Sequence, residues 1–419
     1  MAPAHNVGKA FFPLDEQLGL GSAGLSPRGE ETLVRLCIWM PFEQAAELLA
    51  DLVGIRVSKA TARRATLNNA QIGLRLDEAE QERLQQELPQ APAGADKQQL
   101  SADGAMVHLV GGEWVEIKTL ALGEVARNKR GEVCTQHLSY FSRLAEATSF
   151  EQAALVETHR RGLEGAKEVC AVQDGALWLQ GLVDYHRADA VRILDFAHAS
   201  EYLNEIGQEV RAQGGHLPQW WLQGALHRLK HEGPSRVLRH LRGVAAHFPS
   251  ATIQSHLAYL EKREGQMQDP SYQAAGWPIG SGSVESANKL VVEARLKGAG
   301  MRWQEQNVNP MLVLRNAVCN RRWSQTWKQV QAKLRSQRSQ RREAKSQQRL
   351  ASVLWSLMYW QVRLERLGRP PVAAASSPAV EAAAQPTVRR VSPGYSWRKP
   401  FLRRPSSPST SSPLVGAKK

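Results

Sequence analysis

The sequence has little cysteine and no long apolar run. Its four cysteines, Cys37, Cys134, Cys170 and Cys319, lie far apart, which argues against the paired spacing of a zinc finger and against a disulfide framework. Such usage is typical of a reducing compartment. No apolar stretch approaches the roughly 18 residues of a membrane-spanning helix, and the first residues lack the apolar core of a signal peptide. We therefore expect a cytoplasmic protein with no membrane partner.

Several nucleotide-binding and hydrolase motifs are also missing. The sequence has no Walker motif, no Rossmann glycine fingerprint and no Gly-x-Ser-x-Gly elbow, and the Gly-Ser-Gly-Ser stretch at 280–283 lacks the lysine of a phosphate-binding loop. Positive charge, by contrast, is abundant, with a net charge of +14. This excess predicts a polyanionic partner, with nucleic acid as the leading candidate, although part of the charge lies in the C-terminal tail.

Changes in composition and hydrophobic period divide the chain into seven segments. They are a poorly structured lead-in (1–28), a helical region ending in a Pro/Ala/Gly linker (29–97), an α/β region (98–205), a helical insertion (206–274), a return to the α/β region (275–325), a basic helix (326–366) and a disordered, basic Pro/Ser-rich tail (367–419). The basic helix either follows a phosphate backbone or is simply a solvated charged helix. Within the insertion, Trp220 and Trp221 are interpreted as core residues rather than as base-stacking platforms.

The N-terminal helical region has the pattern of a helix-turn-helix. Residues 42–52 predict a first helix, a glycine-containing turn follows, and Ser58 can cap a second helix at 59–69. The second helix carries four candidate DNA contacts, Lys59, Thr61, Arg63 and Arg64. Arg and Lys side chains in a major groove can read guanine edges or hold phosphates. The alternative is an ordinary helical hairpin with a solvated basic face.

After the linker the hydrophobic period changes to that of strands. Strands are predicted at 99–109, 114–122, 133–141, 169–172 and 190–194, and helices at 148–164, 176–186 and from Asp195 to Val210. Three meandering strands followed by alternating helices and strands predict a mixed α/β sheet with helices packed against it.

Three carboxylates stand out against this framework. Asp103 lies within the first strand, Asp174 follows the fourth strand, and Glu285 lies in the first turn of a helix. Each has an ordinary interpretation, because an Asp-Gly pair is usually a turn and an acidic residue complements the start of a helix. Three carboxylates that converge on rigid elements would instead suit two divalent cations about 3.5–4 Å apart, and Mg²⁺ prefers such oxygen ligands.

The helix that carries Glu285 has a predicted start and a predicted buried face. Ser283 is expected to be its N-cap. The apolar residues Val284, Ala287, Val291 and Ala294 recur at helical spacing and predict the buried face, which leaves Glu285 and Lys289 on another.

A fourth carboxylate, Asp195, is followed three residues later by His198. Residues three apart at a helix start can share one face. Asp195 either caps the following helix, or the pair supports a metal site or a scissile phosphate. Both interpretations stay open at this stage.

Together these residues resemble the DDE transposases of bacterial insertion sequences, most closely the ISKra-type family. The resemblance covers roughly residues 30–325. It rests on six stretches in this order: 103–105 (Asp-Gly-Ala), 112–118 (Gly-Glu-Trp-Val-Glu-Ile-Lys), 173–176 (Gln-Asp-Gly-Ala), 195–198 (Asp-Phe-Ala-His), 280–285 (Gly-Ser-Gly-Ser-Val-Glu) and 297–303 (Lys-Gly-Ala-Gly-Met-Arg-Trp).

The resemblance implies a ribonuclease H-like catalytic core in two parts, 98–205 and 275–325, interrupted by the helical insertion. It implies a metal triad that falls on Asp103, Asp174 and Glu285, with Asp195 as the alternative second ligand. Asp195 and His198 match an Asp-x-x-His element of related transposases and are further catalytic candidates. The expected cofactor is a pair of Mg²⁺ ions, with Mn²⁺ as an alternative ion.

The expected partner is double-stranded DNA, as terminal inverted repeats and as target. Lys289, Lys297 and Arg302 are expected to contact DNA alongside the helix-turn-helix. Because two DNA ends must be held together, we expect a homodimer or a larger assembly on DNA. The expected reaction is hydrolysis of a phosphodiester, followed by joining of the freed 3′-hydroxyl to target DNA. Two alternatives are a ribonuclease H-like nuclease without strand transfer and a catalytically inactive DNA-binding regulator.

Overall fold

The computed structural model describes residues 25–368. The predicted lead-in lies outside this range up to residue 24, and so does the predicted tail from residue 369. Three helices open the described chain: α1 (Pro27–Trp39), α2 (Phe42–Val53) and α3 (Lys59–Glu87). Ser58 caps α3 by accepting the backbone N–H of Thr61 at 3.2 Å, and Gly54 ends α2 in the left-handed region (φ +73°). The predicted helix, turn and helix are therefore present.

Helix α3 was predicted to end at residue 69, but it continues to Glu87. No proline interrupts it, and Arg83 pairs with Glu80 and Glu87 at helical spacing near its end. Its one glycine, Gly73, lies where α3 packs against Val313, since an added Cβ would lie 3.1 Å from that side chain. The added length lies within the region predicted to be helical before the linker, and packing against Val313 supports it.

The predicted mixed α/β sheet is confirmed. Its strands are β1 (Lys97–His108), β2 (Trp114–Arg127), β3 (Val133–Arg143), β4 (Glu168–Gln173) and β5 (Val191–Leu194). Their spatial order is β3-β2-β1-β4-β5. The first three strands pair antiparallel, whereas β4 runs parallel to both β1 and β5. The second strand extends beyond residue 122, where its prediction ended, past a register shift between Leu122 and Glu124.

Helices cover both faces of this sheet. On one face, α4 (Ala147–Arg160) and α5 (Leu177–Arg187) pack their apolar residues, including Phe150 and Leu182, against Leu100 and Leu120. On the other face, residues 282–296 and α13 (Val308–Cys319) pack against Ile117 and its neighbours. The strands are therefore buried on both sides, which holds their ends in fixed positions.

A helical insertion follows α6 (Phe196–Ala212), whereas its start was predicted at residue 206, within this helix. It consists of α7 (Trp221–Glu232), α8 (Pro234–His247), α9 (Ala251–Lys262) and the short α10 (Asp269–Ala274). Its core includes Trp221, whose Nε1 donates to His240 at 2.9 Å. Trp220, by contrast, is 71% exposed, so its assignment to the core is wrong. It precedes the first turn of α7, and the helix directs only its neighbour inward.

The chain returns to the sheet through α11 (Gly282–Ala287), a π-helical turn (Asn288–Glu293) and α12 (Ala294–Leu296). We call residues 282–296 the Glu285 helix. The last helix is α14 (Trp323–Arg366), and the chain divides into two compact units after residue 343. Within residues 25–368, no helix combines the length and the apolar character needed to cross a membrane.

Candidate active site

Three aspartates lie at one level of the sheet, one within β1 and one directly after each of the neighbouring strands β4 and β5. The parallel ladder between β1 and β4 pairs Leu100 with Ala171, and three residues beyond this pair lie Asp103 and Asp174. The ladder between β4 and β5 pairs Gln173 with Leu194, and the next residues are Asp174 and Asp195. Neighbouring strands are about 4.8 Å apart. Asp174 therefore lies beside both other aspartates, whereas Asp103 and Asp195 are separated by two strand spacings.

Asp103 is half-buried, and each of its carboxylate oxygens accepts a hydrogen bond. Its Oδ1 accepts the Gly104 N–H at 2.7 Å, and its Oδ2 accepts Nδ2 of Asn288 at 2.9 Å. Burial raises the pKa of Asp103, the charges of Asp174 and Glu116 raise it further, and the two hydrogen bonds lower it. The charge of Asp174 acts on Asp103 because the two residues lie at the same level of adjacent strands. Like charges held together in this way are suited to binding a cation.

The turn at Asp174 is fixed by the helical insertion. The Asp174 side chain accepts the N–H of Ala176 at 2.8 Å, while its backbone carbonyl accepts the Tyr259 hydroxyl. Arg263 stacks on the Tyr259 ring at 3.6 Å and donates to the carbonyl of Gly175 at 2.7 Å. Gly175 has a φ of +80°, and an added Cβ would lie 2.4 Å from Arg263 Nε. The insertion thus contacts two successive backbone carbonyls, those of Asp174 and Gly175, at a candidate catalytic carboxylate.

Asp195 holds the loop before the Glu285 helix. It occupies the N-cap position of α6 but makes no side-chain capping hydrogen bond, so of the two open interpretations the capping one is wrong. Its buried Oδ1 instead accepts the N–H of Ser281 at 3.0 Å, and the next residue, Phe196, donates its N–H to Ile279. The carboxylate is used for this long-range contact because the insertion returns the chain directly beside β5.

His198 contacts other residues than Asp195 does. Its Nδ1 is 3.3 Å from a carboxylate oxygen of Glu201, and its ring contacts Tyr202 and Tyr259 edge-on, with centroids 5.0 and 5.9 Å apart. Tyr202 and Tyr259 stack on each other at 4.2 Å. Within residues 25–368, no hydrogen bond joins His198 to Asp195. His198 therefore belongs to the aromatic cluster that supports the Asp174 turn.

The Glu285 helix begins earlier than predicted. Ser281 occupies the N-cap position, and Ser283 lies inside the helix with its buried hydroxyl unpartnered, so the predicted N-cap is wrong. The contact from Asp195 to Ser281 explains the shift, because it fixes the loop two residues before Ser283. Glu285 is exposed in the first turn, and three residues later Asn288 contacts Asp103. Residues three apart on a helix are neighbours, so Glu285 lies next to the residue that reaches Asp103.

A π-helical turn changes which side chains of this helix face the sheet. Val284, Ala287 and Val291 are buried as predicted, but Ala294 is exposed. The i to i+5 pattern of the turn (288–293) adds a residue, which moves Arg295 and Leu296 into the interior in its place.

Buried arginines secure the π-helical turn. Arg315 of α13 is completely buried and donates to the carbonyls of Leu290 and Val291 in the turn and of Ile38 in α1. Arg295 donates to the carbonyl of Cys37, and burial lowers its pKa to about 10, which leaves it charged at neutral pH. These contacts fix the orientation of Asn288 and of the neighbouring Glu285.

The candidate metal ligands form an incomplete set in this arrangement. Among residues 25–368, no three His, Cys, Asp or Glu side chains lie close enough to hold one metal ion. Asp103 and Asp174 nevertheless offer carboxylate oxygens at neighbouring positions, in β1 and directly after β4. Asn288 donates its Nδ2 to Asp103, and its Oδ1 is buried without a hydrogen-bond partner. Carboxylate and amide oxygens are the ligands that Mg²⁺ prefers. In this structure the Glu285 side chain does not complete a group of three with them.

The predicted DNA-binding residues are either exposed or paired with another side chain of this chain. Lys59 forms an ion pair with Glu43 at 2.9 Å, Thr61 contacts the Ser58 hydroxyl, and Arg63 donates to Gln304 at 2.8 Å. Arg64 is exposed. The contact from Arg63 to Gln304 joins α3 to the segment after the Glu285 helix.

The three later candidates lie on and just beyond the Glu285 helix. Lys289 and Arg302 are exposed, and Lys297 pairs with Glu293 at 2.8 Å. Their positive charges lie on the same helical segment as Glu285 or within six residues of its end.

Comparison with known proteins adds no relatives. No protein-family model matches the chain, and no curated protein matches it.

Proposed function

We propose that this protein is a DNA transposase of the DDE type, which binds terminal inverted repeats and carries out Mg²⁺-dependent cleavage and strand transfer. The observation that carries the proposal is the placement of Asp103 and Asp174 at one level on adjacent strands. Asn288 of the Glu285 helix bonds directly to Asp103 beside them. A long helical insertion lies between the second aspartate and this helix and contacts the Asp174 turn.

The sheet also supports a ribonuclease H-like core. The antiparallel strands β1 to β3 are followed by β4 and β5, and β4 pairs with β1 in parallel. This order agrees with the two-part catalytic domain that the resemblance implies. In open α/β sheets, ligands bind outside the carboxyl ends of parallel strands. The aspartates after β4 and β5 occupy such an edge, and Asp103 is level with them.

Asp103, Asp174 and Glu285 would hold the divalent ions, with Asp195 supporting the loop that leads to Glu285. When bound, the ions would activate the attacking water or hydroxyl and stabilise charge on the phosphate. The repulsion between Asp103 and Asp174, which raises the pKa of Asp103 together with burial, favours cation binding at this point. Tyr259 and Arg263 would keep the Asp174 backbone in place during the reaction.

DNA recognition is assigned to separate surfaces. The helix from Lys59 onward would enter the major groove with Arg63 and Arg64, and Lys289 and Arg302 would contact the phosphates beside the cleavage site. The basic segment at 326–343 would add sequence-independent affinity.

A second candidate function is that of a DNA-binding regulator without catalysis. The observation that favours it is the exposure of Glu285, whose carboxylate is not part of a group of three potential metal ligands within residues 25–368. A regulator keeps the fold and the DNA-reading helices but has no need of an assembled metal site.

A cleavage and joining assay tests the proposal. Purified full-length protein is incubated with labelled duplexes from the DNA flanking its gene and with a supercoiled plasmid, in Mg²⁺ or in EDTA. We expect Mg²⁺-dependent nicking at one position and joined product, both reduced on the order of 1000-fold by Asp103→Asn or Glu285→Gln. Glu82→Gln, which changes an exposed carboxylate of α3, is the control and should retain full activity.

The products separate the candidate functions. Nicking without joined product supports a nuclease, and specific binding without nicking supports a regulator. Full activity of both Asp103→Asn and Glu285→Gln would refute the assignment of the metal ligands.

A further inference from the structure

The described part of the second unit, residues 344–368, exposes an unusual amount of apolar surface. Its helix carries no charged residue between 350 and 362. The exposed large apolar side chains are Leu350, Val353, Leu354, Trp355, Leu357, Met358, Tyr359, Trp360, Val362 and Leu367, at 49–75% exposure. Isolated exposed apolar residues are ordinary, but a contiguous set marks a surface that another molecule covers.

The spacing of part of this set fits a second helix as the covering molecule. Leucine, valine and tryptophan recur at alternating steps of three and four, at Leu350, Val353, Leu357, Trp360, Leu364 and Leu367. This 3.5-residue period, rather than 3.6, keeps one seam facing a second helix that winds around the first. A DNA backbone would require cationic groups along the seam, and the seam has none.

We propose that residues 350–367 form a parallel coiled coil with the same segment of a second copy of this chain. The inference does not depend on the proposed activity, because it concerns association in the absence of DNA. We call the six residues at the alternating positions the heptad seam.

The residues that flank the heptad seam are compatible with a parallel partner. In a parallel pair, the residue just before Leu350, Leu357 or Leu364 faces the residue five positions further along the other helix. Arg349 then faces Leu354, Ser356 faces Gln361, and Arg363 faces Gly368. No like charges meet at these positions, and the stem of Arg349 can cover Leu354. Identical copies in register are therefore compatible along the whole segment.

Measurement of the mass of the full-length protein against its concentration, without DNA, tests the inference. We expect a reversible dimer. Leu357→Glu places a charge in the heptad seam and should weaken association on the order of 100-fold. Val362→Glu is the matched control, because Val362 is 49% exposed but lies outside the seam, and its effect should stay within about threefold. Circular dichroism verifies that both variants keep the helix content of the wild type.

Disulfide trapping tests the orientation of the two helices. Oxidised Leu357→Cys should form a covalent dimer, because equivalent seam positions face each other only in a parallel pair, whereas Val362→Cys should not. A wild type that stays monomeric up to its solubility limit overturns the inference. Equal weakening by the two glutamate variants overturns it as well, and so does binding of the monomer to lipid vesicles in place of self-association.

Discussion

Asp103→Asn is expected to stabilise the protein when divalent cations are absent, even though it removes a proposed metal ligand. Burial and the charge of Asp174 raise the pKa of Asp103, so its ionisation at neutral pH opposes folding. An asparagine keeps an oxygen for the Gly104 N–H. The NH₂ group of the introduced asparagine can donate to the unpartnered Oδ1 of Asn288 once the Asn288 side-chain amide has flipped. The change therefore removes a repulsion without losing a hydrogen bond.

The spacing of the strands gives the size of the effect. Two unit charges about 5 Å apart, close to the strand separation, repel by about 0.8 kcal/mol in water and about 3 kcal/mol at an effective dielectric constant of 20. The half-buried position of Asp103 lies between these limits, so we expect a gain of about 1–2 kcal/mol in the free energy of unfolding.

The gain should depend on pH in a defined direction. Because the folded-state pKa of Asp103 lies above its ordinary value of 3.8, the folded protein holds this proton more tightly than the unfolded chain does. The stability that the proton provides is complete below pH 3.8 and is lost as the pH rises through the folded-state pKa. The gain in the free energy of unfolding from Asp103→Asn should therefore grow as the pH rises from 3.8 to the folded-state pKa of Asp103, and should stay constant above that pKa.

Thermal and urea unfolding in EDTA, at a series of pH values, measure this difference, with Glu82→Gln as the control. Adding Mg²⁺ should then raise the stability of the wild type by mass action but leave Asp103→Asn unchanged. The reasoning is refuted if Asp103→Asn is less stable than the wild type at neutral pH in EDTA, or if Mg²⁺ stabilises both equally.

Three further substitutions test other contacts. Gly175→Ala, at φ +80° and with a Cβ 2.4 Å from Arg263, should cost about 1–3 kcal/mol in unfolding experiments, whereas Gly265→Ala, which meets open space, should be nearly neutral. Asp195→Ala leaves the Ser281 N–H without its acceptor and should lower the free energy of unfolding by about 1–3 kcal/mol. A variant as stable as the wild type would disprove that role of Asp195. Arg64→Ala should reduce the slope of log affinity against log salt by about 1 in DNA-binding titrations, and an unchanged slope would exclude a phosphate contact.

The five strands and most helices were predictable because their signals are local. Alternating apolar residues, turn glycines and caps such as Ser58 act within a few residues, so the sheet and the first helices follow from the sequence. The level placement of Asp103 and Asp174 also follows once the parallel pairing of β1 with β4 is assumed. Boundaries that depend on tertiary contacts, such as the start of the Glu285 helix, did not follow.

The remaining features of the site depend on contacts between distant residues. Asn288 is one polar residue among several in its helix, and only the fold brings it to Asp103. The π-helical turn that orients it requires Arg315 from another helix, and no local pattern of residues 282–296 indicates the extra residue. Tyr259 and Arg263 likewise look like ordinary surface residues of an insertion helix until the insertion is packed against Gly175.

The most direct test of the metal-site assignment compares the DNA cleavage rates of Asp174→Asn and Asp195→Asn under single-turnover conditions in Mg²⁺. Asp174 lies beside Asp103, whereas Asp195 uses its carboxylate to accept the Ser281 N–H, which an asparagine oxygen can also accept. We predict that Asp174→Asn loses cleavage on the order of 1000-fold and that Asp195→Asn stays within about tenfold of the wild type. Cleavage that survives Asp174→Asn but is abolished by Asp195→Asn would contradict the account.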